Sequence, residues 1–319
     1  MSFSGQVKQE ISRQTALARH CRIAELAALL SFDGTIQISE EDQVSLLFQT
    51  EQEIVCGAFL QLIKKLFRFQ DDQILYEQQL RTKTSLYRVW IEDPEAVRQI
   101  LQALELLDKE GNFRDDLPAA EQPCLRRTCC KKAYLKGAFL AAGAISDPSR
   151  SYHMEFICES RETAEQLSDL MEEVGITASV SGRGKRFLTY VKEGSQISDL
   201  LGMMDAHVAM LDFENARIVR EVRGNINRKV NCETANIRKT ADAAANQIED
   251  IRFIENTAGL GSLPPILDEI ARVRLQYPTA TLQELGEKLN PPVGKSGVNH
   301  RLRKLSAIAA QLHAEQGGE

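Results

Sequence analysis

The chain repeats itself. AELAALLSFDGTI, from Ala24 to Ile36, returns without a gap as AYLKGAFLAAGAI, from Ala133 to Ile145. Ala24 matches Ala133, Leu26 matches Leu135, Ala28 matches Gly137, Gly34 matches Gly143 and Ile36 matches Ile145. A repeat this long is not a solenoid unit. It points to two similar halves packed as a pseudo-dimer, with the repeated helices meeting at a pseudo-two-fold as at an isologous interface. One aligned pair breaks the symmetry: Asp33 stands opposite Ala142.

The order of elements predicts the same duplication. Residues 16–33 have helical spacing, with Leu17, Ala24, Ala28 and Leu29 inward. Thr35–Ile38 and Val44–Gln49 alternate as strands around the polar turn SEEDQ, and Glu51–Phe69 returns to helical period. Ile74–Leu80 and Leu86–Ile91 form a second strand pair, and Pro94–Asp108 a helix opened by proline. Gly111–Pro123, rich in Asp, Pro and Gly, reads as a linker. The pattern then returns: helix Thr128–Ala144, strand Tyr152–Cys158, helix Arg161–Gly175, a hairpin of Thr177–Gly182 and Phe187–Val191, and helix Ser195–Met204. A first hairpin around DPSRS is less distinct. Ala24, Ala28, Ala133, Gly137 and Ala141 would let two helix backbones approach closely; alanine-rich helices in an ordinary core are the alternative.

LAALLSFDG, Leu26–Gly34, resembles the LAGLIDADG motif of homing endonucleases, and LKGAFLAAG, Leu135–Gly143, is a weaker second copy. The resemblance implies an acid at the eighth position of each motif, the two jointly holding divalent metal over the scissile phosphates. Two-metal hydrolysis needs a clamp of carboxylate oxygens. Here the eighth positions are Asp33 and Ala142, and alanine supplies no ligand. The scaffold is expected without its catalysis, and no catalytic residue is assigned. The bland reading of Asp33, and the one its pattern favours, is Asp-Gly punctuation at a helix end.

Charge separates the chain into two regions. Arg217 to Glu319 hold 15 Lys and Arg against 12 Asp and Glu, whereas Met1 to Ala216 hold 24 against 33. Only the second region suits a polyanion. No apolar run approaches a membrane span, and the N-terminus has no apolar signal core, so a cytoplasmic protein is expected. Most of the seven cysteines sit singly in apolar runs and suit buried hydrophobes in a reducing compartment. Cys124, Cys129 and Cys130 cluster without a CxxC pair or a nearby histidine, so neither a metal site nor a cofactor is expected.

The most informative stretch is the last. Pro265–Tyr277 reads as a helix with Ile266, Ile270, Val273 and Leu275 or Tyr277 inward. Thr281 and Glu284 form a capping box for Leu282–Leu289, Asn290–Gly294 is a turn, and Ser296 caps a third helix packed through Val298, Leu302, Leu305 and Ile308. Helix, tight turn and basic helix is the helix-turn-helix arrangement, whose second helix enters the DNA major groove. Lys295, Ser296, Asn299, His300, Arg301, Arg303 and Lys304 are its expected exposed DNA-binding positions, with no acid among them. His300 reads as a surface or backbone contact rather than a metal ligand. Upstream, Arg223, Arg228, Lys229, Arg238 and Lys239, interleaved with asparagines, are candidate phosphate contacts. A solvated basic face is the alternative for both stretches. Cys232–Asn256 reads as a long alanine-rich helix linking the domains.

A degenerate LAGLIDADG pseudo-dimer followed by a helix-turn-helix resembles the WhiA family of bacterial regulators, with RGNINRKVNCETANIRKT and GKSGVNHRLRKL especially close. The fold expected is α+β: a duplicated α/β domain in two halves, 1–110 and 124–216, a basic linker and helix over 217–260, and an all-α helix-turn-helix domain over 261–312. The resemblance implies a nucleoid-associated protein that binds double-stranded DNA without nuclease activity, with family roles in sporulation, cell division and chromosome segregation. Two other readings stay open. One is an endonuclease with a rearranged metal site, in which Glu155 would compensate for the missing acid. The other is an adaptor whose acidic N-terminal domain docks a protein partner.

Overall fold

The computed structural model describes residues 2–38, 44–81, 84–107 and 123–316. The expected turn SEEDQ and all of the linker but Pro123 lie outside the described residues. The chain divides into two compact units, one up to Glu221 and one from Val222 onward.

The first unit contains the repeat. Its first half runs α1 (Phe3–Arg13), α2 (Arg19–Asp33), β1 (Gly34–Ile38), β2 (Val44–Thr50), α3 (Glu53–Leu66), β3 (Leu75–Leu80), β4 (Ser85–Ile91) and α4 (Pro94–Ala103). Its second half runs α5 (Thr128–Ala142), β5 (Gly143–Ile145), β6 (Met154–Cys158), α6 (Arg161–Glu172), β7 (Ser179–Arg183), β8 (Arg186–Val191) and α7 (Gly194–Met203). The antiparallel sheets have the same strand order, β1-β2-β4-β3 and β5-β6-β8-β7. The hairpin around DPSRS, indistinct in sequence, exists: Gly143 pairs with Phe156, and the Asp147 carboxylate accepts from the Ser149 N–H at 2.9 Å. Each sheet turns alternate side chains inward, as with Met154, Phe156 and Cys158 on β6. One continuous core joins both halves, with Phe48 stacked on Phe59 at 4.0 Å and Phe139 edge-on to Phe156 at 5.8 Å.

Helix α1 has no counterpart among the sequence expectations. It buries Val7 and Ile11, and its Glu10 carboxylate accepts the Val208 and Ala209 N–H groups at 2.8 and 2.9 Å, satisfying donors at the next long helix's start. Two sequence expectations fail at α2: it begins at Arg19 rather than residue 16, and Leu17 is 98% exposed rather than inward.

Helix α8 (His207–Thr257) carries the chain from the first unit into the second. The sequence pattern begins this helix only at Cys232. In the structure the basic stretch before Cys232 is helical too, since Gly224 interrupts it only once and no proline does. The second unit adds α9 (Pro265–Gln276), α10 (Leu282–Glu287) and α11 (Lys295–Gln316) around Ile251, Ile254, Leu267, Ile270, Leu285, Val298, Leu302 and Leu305. Helix α9 is rotated from the expected face. Leu267, Ile270, Ala271 and Arg274 point inward, while Ile266 is 56% exposed. The polar head of buried Arg274 explains why hydropathy alone selects the wrong stripe: its Nη1 donates to the Ala280 carbonyl at 2.6 Å and staples the α9–α10 connection.

Candidate nucleic-acid interface and paired-helix site

The helix-turn-helix is built by local chemistry. The Thr281 N–H donates to Glu284 Oε2 at 2.7 Å and the Glu284 N–H to Thr281 Oγ1 at 3.3 Å, closing the capping box of α10. The turn then folds back on Gly286, where the Val293 N–H donates to the Gly286 carbonyl at 3.0 Å. A Cβ on Gly286 would lie 1.9 Å from the Val293 carbonyl oxygen, so only glycine allows this approach. Glu269 of α9 braces the same turn, accepting the Asn290 N–H at 2.8 Å.

On α11, Val298, Leu302, Leu305 and Ala309 are buried. Helical periodicity sets Ser296, His300, Arg303 and Lys304 on the opposite, exposed side. Lys295 is exposed at the helix start and Asn299 is half-buried on a flank. Two expectations are corrected. Helix α11 begins at Lys295, so Ser296 lies inside its first turn rather than capping it. Arg301 is half-buried beside α9, its Nη1 3.8 Å from Glu269 Oε2, because position 301 falls on the flank of the buried stripe. Along α8, Arg223, Arg228, Lys229, Arg238 and Lys239 are all exposed. Ile218, Val222, Ile226, Val230 and Ile237 are exposed on the same helix, an apolar stripe that the charge count does not reveal.

In the first unit, α2 packs against α5. A Cβ on Gly137 would lie 2.5 Å from the Glu25 carbonyl oxygen and 2.8 Å from the Ala28 Cβ, so the small residues do serve close helix approach. An ion pair lies inside this contact: Lys136 Nζ is 3.5 Å from Glu25 Oε1, with side chains 3% and 4% exposed. Lys136 also donates to the Gln14 carbonyl. Burial pushes Glu25 up to about 7 although Lys136 pulls it down, and its Oε2 has no hydrogen-bond partner among the described residues.

At the C-terminal ends of the two helices, Asp33, Ala142 and Glu159 line a cavity of about 680 Å³ that also receives Lys8 and Arg186. Burial raises Asp33 to about 6, against the opposing pull of a Thr50 hydrogen bond and the Lys8 charge. Lys8 is buried, donates to Gln52 Oε1 at 3.1 Å, and is lowered to about 8 by desolvation. Asp33 is therefore more than turn punctuation: it is a half-buried acid next to a buried lysine. Glu155, the acid named as a substitute, is 3.0 Å from His153 Nε2 on β6 and is not part of this lining; Glu159 is.

At the opposite ends of the same helices the fold supplies a histidine that the local sequence around Cys129 lacks. His20, Cys21, Cys129 and Cys130 come together, their ligand atoms all within 4.8 Å of one another. His20 Nδ1 lies 3.2 Å from Cys130 Sγ, 3.3 Å from Cys21 Sγ and 4.0 Å from Cys129 Sγ. The signal is present in the repeat: the offset that carries Ala24 to Ala133 also carries His20 to Cys129 and Cys21 to Cys130.

A duplicated LAGLIDADG-like domain followed by a helix-turn-helix domain is the class this architecture defines. Family descriptions agree: "WhiA N-terminal LAGLIDADG-like domain" matches residues 19–107, "WhiA LAGLIDADG-like domain" residues 131–223, and "WhiA C-terminal HTH domain" residues 226–309. A protein of Heliobacterium modesticaldum named "Probable cell division protein WhiA" is 44% identical over 318 residues, covering 100% of this chain and 98% of that relative. Another of the same name, from Lachnoclostridium phytofermentans, is 44% identical over 312 residues, 98% of this chain and 99% of that one. The crystal structure of full-length DUF199/WhiA from Thermatoga maritima shares the fold with a TM-score of 0.58 at 23% identity, covering 98% of this chain and 99% of that chain. The chain belongs to the WhiA family. Among the described residues no helix is long and apolar enough to cross a membrane.

Proposed function

We propose that this chain is a sequence-reading, double-stranded DNA-binding protein without nuclease activity, acting in cell division or the transcription that serves it. The observation that carries this reading is the exposed face of the N-terminal part of α11, basic and free of acids over residues 295–304, within a complete helix-turn-helix. Ser296, His300, Arg303 and Lys304 are its candidate groove-facing residues, with Lys295 and Asn299 at the margins. The basic residues of α8 are its candidate phosphate contacts. The cell-division role follows the names of the relatives. Two observations support loss of catalysis: the eighth position of the second motif is Ala142, which offers no ligand, and the buried Lys8 lines the cavity where a catalytic ion would sit, its positive charge opposing a cation when protonated.

Fluorescence anisotropy of a labelled duplex with the full chain, read over a salt series, tests it. Binding should weaken linearly in log salt. Arg303→Ala should weaken specific binding by about 1–3 kcal/mol and relax sequence preference, while Lys239→Ala should weaken all duplexes alike and lower the salt slope by about one. Arg301→Ala should cost mainly stability, since Arg301 sits against Glu269. No binding at low salt would sink the reading. A magnesium- or manganese-dependent nick abolished by Asp33→Asn would establish the nuclease alternative, for which Glu159 is the second acid.

A further inference from the structure

We propose that His20, Cys21, Cys129 and Cys130 form a zinc site that clamps the N-terminal ends of α2 and α5 across the pseudo-two-fold. Three sulfurs and one imidazole nitrogen are a tetrahedral zinc ligand set, with bonds of about 2.3 Å to sulfur and about 2.0–2.1 Å to nitrogen. Such bonds place two sulfurs about 3.8 Å apart and a sulfur and a nitrogen about 3.5 Å apart. The 3.2 and 3.3 Å separations of Cys130 and Cys21 from His20 Nδ1 would widen slightly, the 4.0 Å separation of Cys129 would shorten, and the whole set, within 4.8 Å, needs shifts of about 1 Å or less.

The arrangement is a product of the duplication. Each helix contributes two adjacent residues from its first turn, His20 and Cys21 from α2 and Cys129 and Cys130 from α5, at positions related by the repeat offset. Neither helix could hold the ion alone. Both helix N-termini direct positive dipole ends at the cluster, which suits the negative charge of a metal-bound thiolate set. Cys21 and Cys130 are buried and Cys129 is exposed, which provides a route for the ion to enter. On binding, three thiol protons leave to solvent and three thiolates with a neutral imidazole surround the ion, giving a net charge of −1. Arg126 and Arg127, which line the adjoining cavity with His20 and Cys130, oppose that charge.

The test uses the full-length chain, expressed in zinc-replete medium and purified without chelator. Elemental analysis should find one zinc per chain. Cobalt replacing it should give tetrahedral ligand-field absorption and a thiolate-to-cobalt charge-transfer band. Cys129→Ser, at the exposed ligand, should reduce that band by about one third, the share of one thiolate in three, and should lower zinc retention. Cys56→Ser and Cys232→Ser should leave both unchanged. Circular dichroism checks that the variants fold, and the wild-type zinc and cobalt measurements need no variant. Substoichiometric zinc with no charge-transfer band would overturn the site. So would a band left undiminished in both Cys129→Ser and Cys130→Ser, or a resting disulfide within the cluster.

Discussion

The two ends of the α2–α5 helix pair have diverged in opposite ways. At the C-terminal ends, one copy keeps its acid and the other carries alanine, so Asp33 faces Ala142. At the N-terminal ends both copies carry ligand-type residues, His20 with Cys21 and Cys129 with Cys130. A pseudo-two-fold brings equivalent positions together at both ends. Whether they amount to a site depends on whether both copies contribute. A single carboxylate holds a divalent ion poorly, whereas two adjacent pairs complete a tetrahedron. Between the ends lies the Glu25–Lys136 pair, which the repeat does not duplicate: the positions equivalent to these are Tyr134 and Ala27.

Breaking the middle should cost most. Lys136→Ala strands a buried carboxylate and should destabilise the chain by about 3–5 kcal/mol, read by urea unfolding. Glu25 is already raised to about 7, so its folded form binds a proton more tightly than its unfolded form, and stability is lost as pH rises towards 7. Without Lys136 that penalty should deepen, making the variant's deficit larger at pH 8 than at pH 6. A deficit below about 1 kcal/mol would mean that the pair is relaxed by water.

Gly137→Ala forces a methyl against the Glu25 backbone and should cost about 1–3 kcal/mol by overpacking. If it unfolds no more easily than wild type, the helices are not held at the separation described.

Asp33→Asn tests the C-terminal end with the opposite sign. Asp33 is raised from 3.8 to about 6, so stability present at low pH is lost as pH rises through that window. Removing the charge should stabilise the chain at pH 7–8 by on the order of 1 kcal/mol, discounted for partial exposure, and the gain should vanish below about pH 4. A pH-independent effect would refute the buried-acid account.

The smallest effect is expected from Ala142→Asp, which restores the lost symmetry. A second carboxylate in the cavity should lower stability at pH 8 by about 1 kcal/mol or less, through like-charge repulsion, and millimolar magnesium should recover part of it. No response to magnesium would show that Lys8, rather than the missing acid, bars the ion.

The helix-turn-helix is legible in the sequence because its determinants are local. The Thr281–Glu284 capping box and the Val298, Leu302 and Leu305 stripe are short-range patterns that act within a turn or two of helix. The face of α9 is not legible, and Ile266 lies outward against expectation, because the fold buries Arg274 for the sake of the Ala280 carbonyl. Arg301 leaves the open face for Glu269, a partner on a different helix that no local pattern connects to it. The long basic helix is visible as charge but not as a continuous element, since charge patterns carry little information about where a helix starts.

The sequence by itself determined the duplication, the kinship of the two sheets, the helix-turn-helix and the asymmetry at Asp33. Each is written in spacing, and spacing acts through local backbone geometry. Tertiary structure alone decided that Glu25 and Lys136 are buried as a pair, that Lys8 shares the Asp33 cavity, and that a histidine joins Cys129 and Cys130. Those facts depend on desolvation and on side chains remote in the chain meeting in space, neither of which a linear pattern contains. The repeat offset was the one long-range ruler in the chain. Applied to the start of the helix as well as its end, it pairs His20 with Cys129 and Cys21 with Cys130; the close packing of α2 on α5 is what turns that pairing into proximity.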